Sequence, residues 1–568
     1  VLAACDVLIL GGGFGGVAAA LEFARAGRRV MLVEPRTYLG REMTATLRPW
    51  LNVAGHSHPL IDSMVRNAAS GGGLNLDSVK ILLEDTLLDA GVRLLYASLA
   101  VGVQRDDSGL QGVVIANKSG RQVIRCRLLL DGTETATIAH LLDEPFTPDT
   151  HRTRPYWRTL EFDGVAPDLP LEQPLRAAGR SAVPRPGYRG AGHVLVDVTL
   201  DLPFGADDAF SASGREAIAR EQTMAFAAAL AQDVPAFQSA YLSGASYELC
   251  GRHTRRLQPR PASWAGRDDA LTVPALSPAP IPLSIFAGAA RGVWYLNDAL
   301  TWPSGVDAPL CDPVLAAEAG MALARALVQR WQTAASATAE LAEPGHEVFP
   351  EAPELREPAS PQRGRPYPRA VVDETALPLL RAVDILVVGG GSSGAIAAIT
   401  AAREGLRTLL IEMNPGLGGT GTFGGVHSYW FGRREGFAAE VTALVARAHT
   451  DLGLNPPQGQ IPKWNIEAKS FALLKAAREA GVELLFDSVV FGAVVEDRRV
   501  CGVAVATRFG AGLVRARAVI DATGDGDVAA FAGADFVYGS ERDHAVMWSA
   551  LAQFPRPGLT RNHFTSMA

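Results

Sequence analysis

Cysteine is scarce in this 568-residue chain: Cys5, Cys126, Cys250, Cys311 and Cys501 are odd in number and never fall in a CxxC spacing. That excludes a disulfide framework and offers no zinc ligand set, so no metal site is expected and a reducing compartment is the default. Cys250 reads as a core thiol with no second cysteine near it, and Cys311, beside a predicted helix start, as a thiol of lowered pKa. Basic runs and basic-aromatic interleaving are also lacking, and with a net charge of -7 this argues against a nucleic-acid partner. No apolar stretch reaches the length of a membrane span, because glycines and charges interrupt the longest ones. A soluble, cytoplasmic protein acting on a small molecule is expected. The chain opens on Val1, not Met, so a signal segment further upstream is compatible with this reading.

What the chain does have is one pattern written twice. DVLILGGGFGGVAAALEFARAGRRVMLVE runs from Asp6 to Glu34, and DILVVGGGSSGAIAAITAAREGLRTLLIE from Asp384 to Glu412. In each, an apolar strand meets glycines at GxGxxG spacing, Gly11, Gly13 and Gly16 or Gly389, Gly391 and Gly394, followed by a helix, a second strand and a terminal Glu. The correspondence continues through KILLEDTLLDAGVRLLY (Lys80 to Tyr96) against SFALLKAAREAGVELLF (Ser470 to Phe486), through Asp131 against Asp521, and on to Phe146 against Phe536. The second copy is longer between Thr422 and Asn465, where an insertion falls in a loop.

The predicted fold class is α/β, with two Rossmann-like FAD/NAD(P)-binding domains built on parallel sheets and the first interrupted by an α+β substrate domain. Residues 1–146 form the N-terminal part of the first domain, 147–290 the inserted domain, and 291–332 the return to the first. Residues 333–381, rich in Ala, Pro and Glu, form a linker. Residues 382–568 form the second domain, which is expected to be incomplete because it stops well short of the length of the first copy.

Glycine is required at such a turn because main-chain amides at a helix N-terminus must approach a pyrophosphate closely. Glu34 and Glu412 suit an adenosine ribose, and a carboxylate there disfavours a 2'-phosphate. The bare motif therefore implies an ADP-containing dinucleotide. A glycine turn that only packs a helix on a sheet is the structural alternative.

LGGTGT (Leu417 to Thr422) and VIDATGDGDVAAFAG (Val519 to Gly533) resemble FAD-dependent oxidoreductases of the glutathione-reductase-like superfamily, nearest the bacterial group that includes fumarate reductase and thiazole-synthesis flavoproteins. The resemblance implies FAD as cofactor. It places Thr523, Gly524 and Asp525 by the dinucleotide and brings Gly418 and Gly419 close to the pyrophosphate and ribityl groups. It also implies that the helix after Asp312 points its N-terminus at the flavin, and that Asp298 lies by the ribityl chain. The first copy departs from this pattern: Arg41 stands where the second has Gly419, Glu134 where it has Gly524, and Asn297 precedes Asp298 where the family shows Gly. These substitutions are expected to crowd a flavin in the first copy.

GGVHSYWFGRR supplies His427, Tyr429 and Arg433 as candidate substrate contacts, the plainer reading being a loop histidine and packing aromatics. GRHTRRLQ supplies Arg255 and Arg256, which could orient an anionic substrate through paired hydrogen bonds or simply form a solvated basic cluster. No CxxxxC follows either glycine loop, so disulfide-reductase chemistry is not expected. The leading functional reading is hydride transfer from an organic substrate to flavin, with an unidentified electron acceptor. An NAD-linked dehydrogenase, or a non-catalytic scaffold with eroded nucleotide sites, are the alternatives.

Overall fold

Apolar runs become strands here because the sheets they form are buried on both faces: every residue of Val7–Leu10, Val30–Val33 and Leu128–Asp131 is buried. The computed structural model describes residues 1–51, 58–107, 109–149, 151–204, 208–260, 270–273, 276–277, 279–303, 306, 310–333, 355–357, 377–428, 433, 435–453, 464–537, 553–554 and 563–564. The first glycine loop joins β1 (Val7–Leu10) to α1 (Phe14–Arg25), and β2 (Val30–Val33) follows. With β3 (Arg93–Leu95), β4 (Leu128–Asp131) and β5 (Val293–Tyr295) these form an all-parallel sheet in the order β5-β4-β1-β2-β3.

Between β4 and β5 the chain builds an antiparallel sheet from Thr153–Asp163, Leu175–Ala177, Arg180–Pro186, Val194–Pro203 and Tyr241–Ala245, with the helix α2 (Ala209–Asp233) packed on it. A second long helix, α3 (Pro313–Thr333), then returns across α1. The two approach closely: a Cβ on Gly320 would stand 2.1 Å from the Gly15 carbonyl oxygen, so only glycine fits.

The second half repeats the strand-loop-helix-strand order. β6 (Leu379–Val388) leads through Gly389–Gly391 into α4 (Gly394–Arg403), β7 (Thr408–Ile411) follows, and α5 (Ile466–Glu479) precedes Glu483–Leu485. Here β8 (Gly510–Asp521) is long enough to pair antiparallel with Arg499–Thr507 and parallel with β6, which fuses the hairpins and the parallel strands into one seven-stranded sheet. In the first half β5 covers the outer edge of β4. Among the described residues no strand covers the matching edge of β8, and Ile520 is 36% exposed there.

Two features bind the halves together. The core beneath α2 is shared with α4 and α5: Phe226, Leu230 and Phe237 belong to the same buried cluster as Ala398, Ile399 and Leu473. The hairpin turns are also exchanged between halves. Lys118, in the turn after Gly109–Asn117, reaches Asp525 and Asp527 at 2.7 and 2.8 Å, while Arg508, at the corresponding turn of the second half, reaches Glu134 and, at 2.7 Å, Glu248. Leu99, Ala116, Phe491, Ala504 and Ala506 form the apolar seam between these hairpins. Among the described residues no helix is long and apolar enough to cross a membrane, and no cluster of His, Cys, Asp and Glu could hold a metal ion.

Candidate functional site

The two glycine loops share a backbone and differ in what fills them. In both, the outer glycines are structural. Gly11 and Gly389 take φ of +90° and +97°, and a Cβ there would meet Gly132 O at 2.6 Å or Ala522 O at 2.3 Å; a Cβ on Gly16 or Gly394 would strike the carbonyl of Gly11 or Gly389 at 2.1 or 1.8 Å. The middle glycine is where the two loops differ. Around Gly391 a Cβ would meet nothing within 4 Å, whereas around Gly13 it would meet Glu42 Oε1 at 2.4 Å.

Glu42 is decisive for the first loop. Its carboxyl group accepts from the Phe14 amide through both oxygens at 3.2 Å and so occupies the mouth of α1, where the amides of a first helical turn have no intrahelical partner. Burial pushes the Glu42 carboxyl up to about 7. The native state therefore holds a proton that the unfolded chain releases near 4.5, and this contribution to stability is lost as the pH rises through 7. Glu42→Gln should leave the melting temperature nearly unchanged at pH 5 and raise it by a few degrees at pH 8. An equal shift at both pH values in a thermal melt would contradict the assignment.

Behind Glu42 the space is taken by a buried ion network. Glu34 accepts from the Gly12 amide at 2.5 Å and from Arg36 Nη1 at 2.6 Å. Arg36 Nη2 reaches Glu134 at 2.7 Å, and its Nε and Nη2 each reach Glu248 at 2.7 Å; Arg41 Nε lies 2.9 Å from Glu248, and Arg508 closes the cluster from the second half. Burial alone would raise Glu248 and Glu134, but the guanidiniums of Arg36, Arg508 and Arg41 outweigh it and hold both carboxyls well below the usual carboxylate range. Arg41 and Glu134 thus pair with partners from distant segments. Glu42 and this network occupy the side of Gly13 that lies open at Gly391.

The second loop is open. Ser392 and Ser393 are exposed at the start of α4, which has no side-chain cap, and Gly524 and Gly526, with φ of +82° and +72°, have nothing within 4 Å of a would-be Cβ. Gly418 and Gly419 lie against the loop; a Cβ on Gly419 would stand 2.9 Å from the Gly391 Cα. Glu412 accepts from the Gly390 amide at 2.5 Å and from Asn414 Nδ2 at 2.6 Å, and Asn414 Oδ1 accepts from Tyr247 of the first half at 2.8 Å. The ADP portion of a dinucleotide could be held here, between an uncapped helix and the Glu412 carboxylate. Thr523 is spent on the loop itself: its hydroxyl donates to Asp521 at 2.8 Å and accepts from the Asp527 amide at 3.0 Å. Asp525 is exposed and paired with Lys118.

The remaining sequence candidates scatter. The His427 carbonyl accepts from the Trp464 amide at 3.0 Å, Arg433 is exposed, and Tyr429 lies outside the described residues. Arg255 lies over the Phe146 ring, while Arg256, donating to the Leu300 carbonyl at 2.8 Å, lines a cavity of about 730 Å³ between the antiparallel sheet and the segments around Arg48, Asp298 and Cys311. Asp298 lines the same cavity, accepts from the Leu310 amide at 2.9 Å, and is raised by burial.

Two features escaped the sequence. Lys469 is only 2% exposed, sits 3.7 Å from the Trp464 ring centre beside Gly421, and is lowered by burial to about 8. Aligning Leu76–Asp89 with α5 would have flagged it, since Val79 stands opposite. The second is a correction: Cys250 does have a cysteine neighbour, because the fold brings Cys311 to the same cavity wall. The Cys311 thiol, expected to be lowered, is instead raised by hydrogen bonding to Cys250 and by burial, and it is Cys250 that is lowered.

A family model described as FAD dependent oxidoreductase matches residues 6–170 and 384–564. A curated relative, digeranylgeranylglycerophospholipid reductase 1 of Methanococcoides burtonii, is 28% identical over 165 residues, 27% of this chain. The match spans 40% of that relative's length. Among solved structures, a geranylgeranyl bacteriochlorophyll reductase-like protein of Thermoplasma acidophilum aligns at 12% identity and a TM-score of 0.37, covering 59% of this chain and 80% of its own. The p-nitrophenol 4-monooxygenase of Pseudomonas putida aligns at 16% identity and a TM-score of 0.37, covering 59% and 82%.

Proposed function

Because the chain belongs to the FAD dependent oxidoreductase family, with FAD accordingly its cofactor, we propose that one flavin is held by the second glycine loop while the first is closed by its own Glu42. The observation that carries this reading is the contrast between Gly391, open on its ligand side, and Gly13, covered by a carboxylate. We read the halves as diverged copies of one cofactor domain, the first kept as structure and as part of the wall of the second site. Tyr247 and Arg220 support that role, holding Asn414 Oδ1 and the Pro415 carbonyl, each at 2.8 Å.

In this reading the first-turn amides of α4 bind the pyrophosphate, Glu412 the ribose hydroxyls, and Gly418, Gly419 and Gly524 let the backbone approach. Bound there, FAD supplies two-electron chemistry, and the proposed reaction is hydride transfer from an organic substrate. Lys469, lowered toward neutrality by burial, can release a proton at Nζ beside the Gly418–Gly421 loop. His427 and Arg433 are the substrate contacts proposed from the neighbouring loop. A non-catalytic role for the first half is favoured by Glu42; for the second half no comparable plug is present among the described residues.

The test is the flavin-to-protein ratio of the purified full chain, from its absorption spectrum after denaturation. About one flavin per chain is expected. A ratio near two would mean that Glu42 yields to the cofactor, and a ratio near zero would remove the second loop from the site.

A further inference from the structure

We infer that Cys250 and Cys311 form a redox-active thiol pair in the first-half cavity, oxidised by hydrogen peroxide or an organic hydroperoxide to a reversible disulfide. The inference rests on the proposed function, in which the first half holds no flavin and this cavity is free.

The geometry comes from three separate parts of the fold. Cys250 is fixed by a two-way backbone bridge to Trp157, with both N–H···O distances 2.9 Å. Cys311 immediately precedes Asp312, whose carboxylate caps α3 by accepting from Val314 and Leu315 at 2.9 and 3.1 Å. Arg48 arrives from the first half with Nη1 at 3.0 Å from Cys250 Sγ, and is steered there by Asp197 at 3.2 Å. Both thiols and Arg48 line the cavity of about 730 Å³, together with Arg185, Arg252 and Arg256.

This is an environment that makes a nucleophile of one sulfur and a resolving thiol of the other. Hydrogen bonding from Cys311 lowers Cys250 to about 6 against the penalty of burial, with help from Arg48 and Arg41 and opposition from Asp197. Cys311, which also faces Asp298, keeps its proton. The remaining thiols lack this setting: burial pushes Cys5 to about 12 and raises Cys126 and Cys501. Selectivity therefore runs against simple exposure, since Cys501 is more exposed than Cys250.

The chemistry closes on itself. The Cys250 thiolate attacks the peroxide oxygen, an S–O bond forms, the O–O bond breaks, and the departing alkoxide or hydroxide takes a proton to leave as alcohol or water. Cys311 then attacks the Cys250 sulfur; the S–S bond forms as the S–O bond breaks, and hydroxide leaves as water with the Cys311 proton. In sum, two thiols and one hydroperoxide give one disulfide, one alcohol or water, and one further water.

The test treats the reduced full chain with a small molar excess of hydrogen peroxide, blocks free thiols with N-ethylmaleimide, and maps non-reduced peptides by mass spectrometry. The expected result is a Cys250–Cys311 cross-linked peptide that dithiothreitol releases, formed before Cys501 is modified. Full maleimide labelling of both cysteines after Cys501 has oxidised would overturn the inference. In Cys311→Ser, dimedone should trap a sulfenic acid at Cys250; trapping at Cys501 alone would overturn it. Arg48→Met should slow alkylation of Cys250 by iodoacetamide at pH 7 roughly tenfold and leave Cys501 unchanged. An unchanged Cys250 rate would show that Arg48 does not poise that thiol.

Discussion

Gly391→Val is expected to remove flavin from the protein while leaving its stability almost untouched. A Cβ at this position meets nothing within 4 Å, so the folded chain accommodates the side chain at a cost expected to stay below about 0.5 kcal/mol. The same side chain occupies the space through which a pyrophosphate must approach the first-turn amides of α4. Flavin content should fall from about one per chain to below about a tenth, with the thermal unfolding midpoint of the apoprotein unchanged. Gly394→Val is the control with the opposite meaning: its Cβ would stand 1.8 Å from the Gly389 carbonyl oxygen, so it should fail to fold. Normal flavin retention by Gly391→Val would take this loop out of the cofactor site. The matching change Gly13→Ala should not alter flavin content, because Glu42 already fills that side.

Glu248→Ala is expected to cost about 3–5 kcal/mol of stability, the range for removing one partner from a buried ion cluster. Its carboxylate accepts from Arg36 at 2.7 Å, Arg41 at 2.9 Å and Arg508 at 2.7 Å, and is 4% exposed. Removing it leaves guanidiniums facing one another without water, which is why deletion costs more than the cluster adds. Arg508 belongs to the second half, so the loss should also loosen the exchanged hairpins and let a protease cut between the halves sooner. Because Glu248 and Glu134 are both held low, their contribution is complete above about pH 4.5 and is lost only as the pH falls through their depressed native values. Denaturant unfolding at pH 7 reads the difference; a loss below about 1 kcal/mol would show that the cluster is not a keystone.

Local structure was legible in the chain because strand and helix periodicity and glycine placement are properties of neighbouring residues. Each glycine motif lies between a strand and a helix, and an antiparallel sheet lies between Phe146 and Gly292. Arg41 and Glu134 depart in sequence from the second copy, and that they pair with Glu248, Arg36 and Arg508 could not be read from spacing.

The sequence by itself determined that there are two glycine turns, the strands and helices that frame them, and a carboxylate at the end of each second strand. Only the tertiary structure decided which side chains stand beside each turn. Phe14 is covered by Glu42 from the short helix that follows β2, Glu248 arrives from beyond the antiparallel sheet, and Cys250 and Cys311 meet on one cavity wall. The physical reason is that backbone conformation is set over a few residues, whereas charge and open space at a site are set by whichever side chains the packed elements carry there.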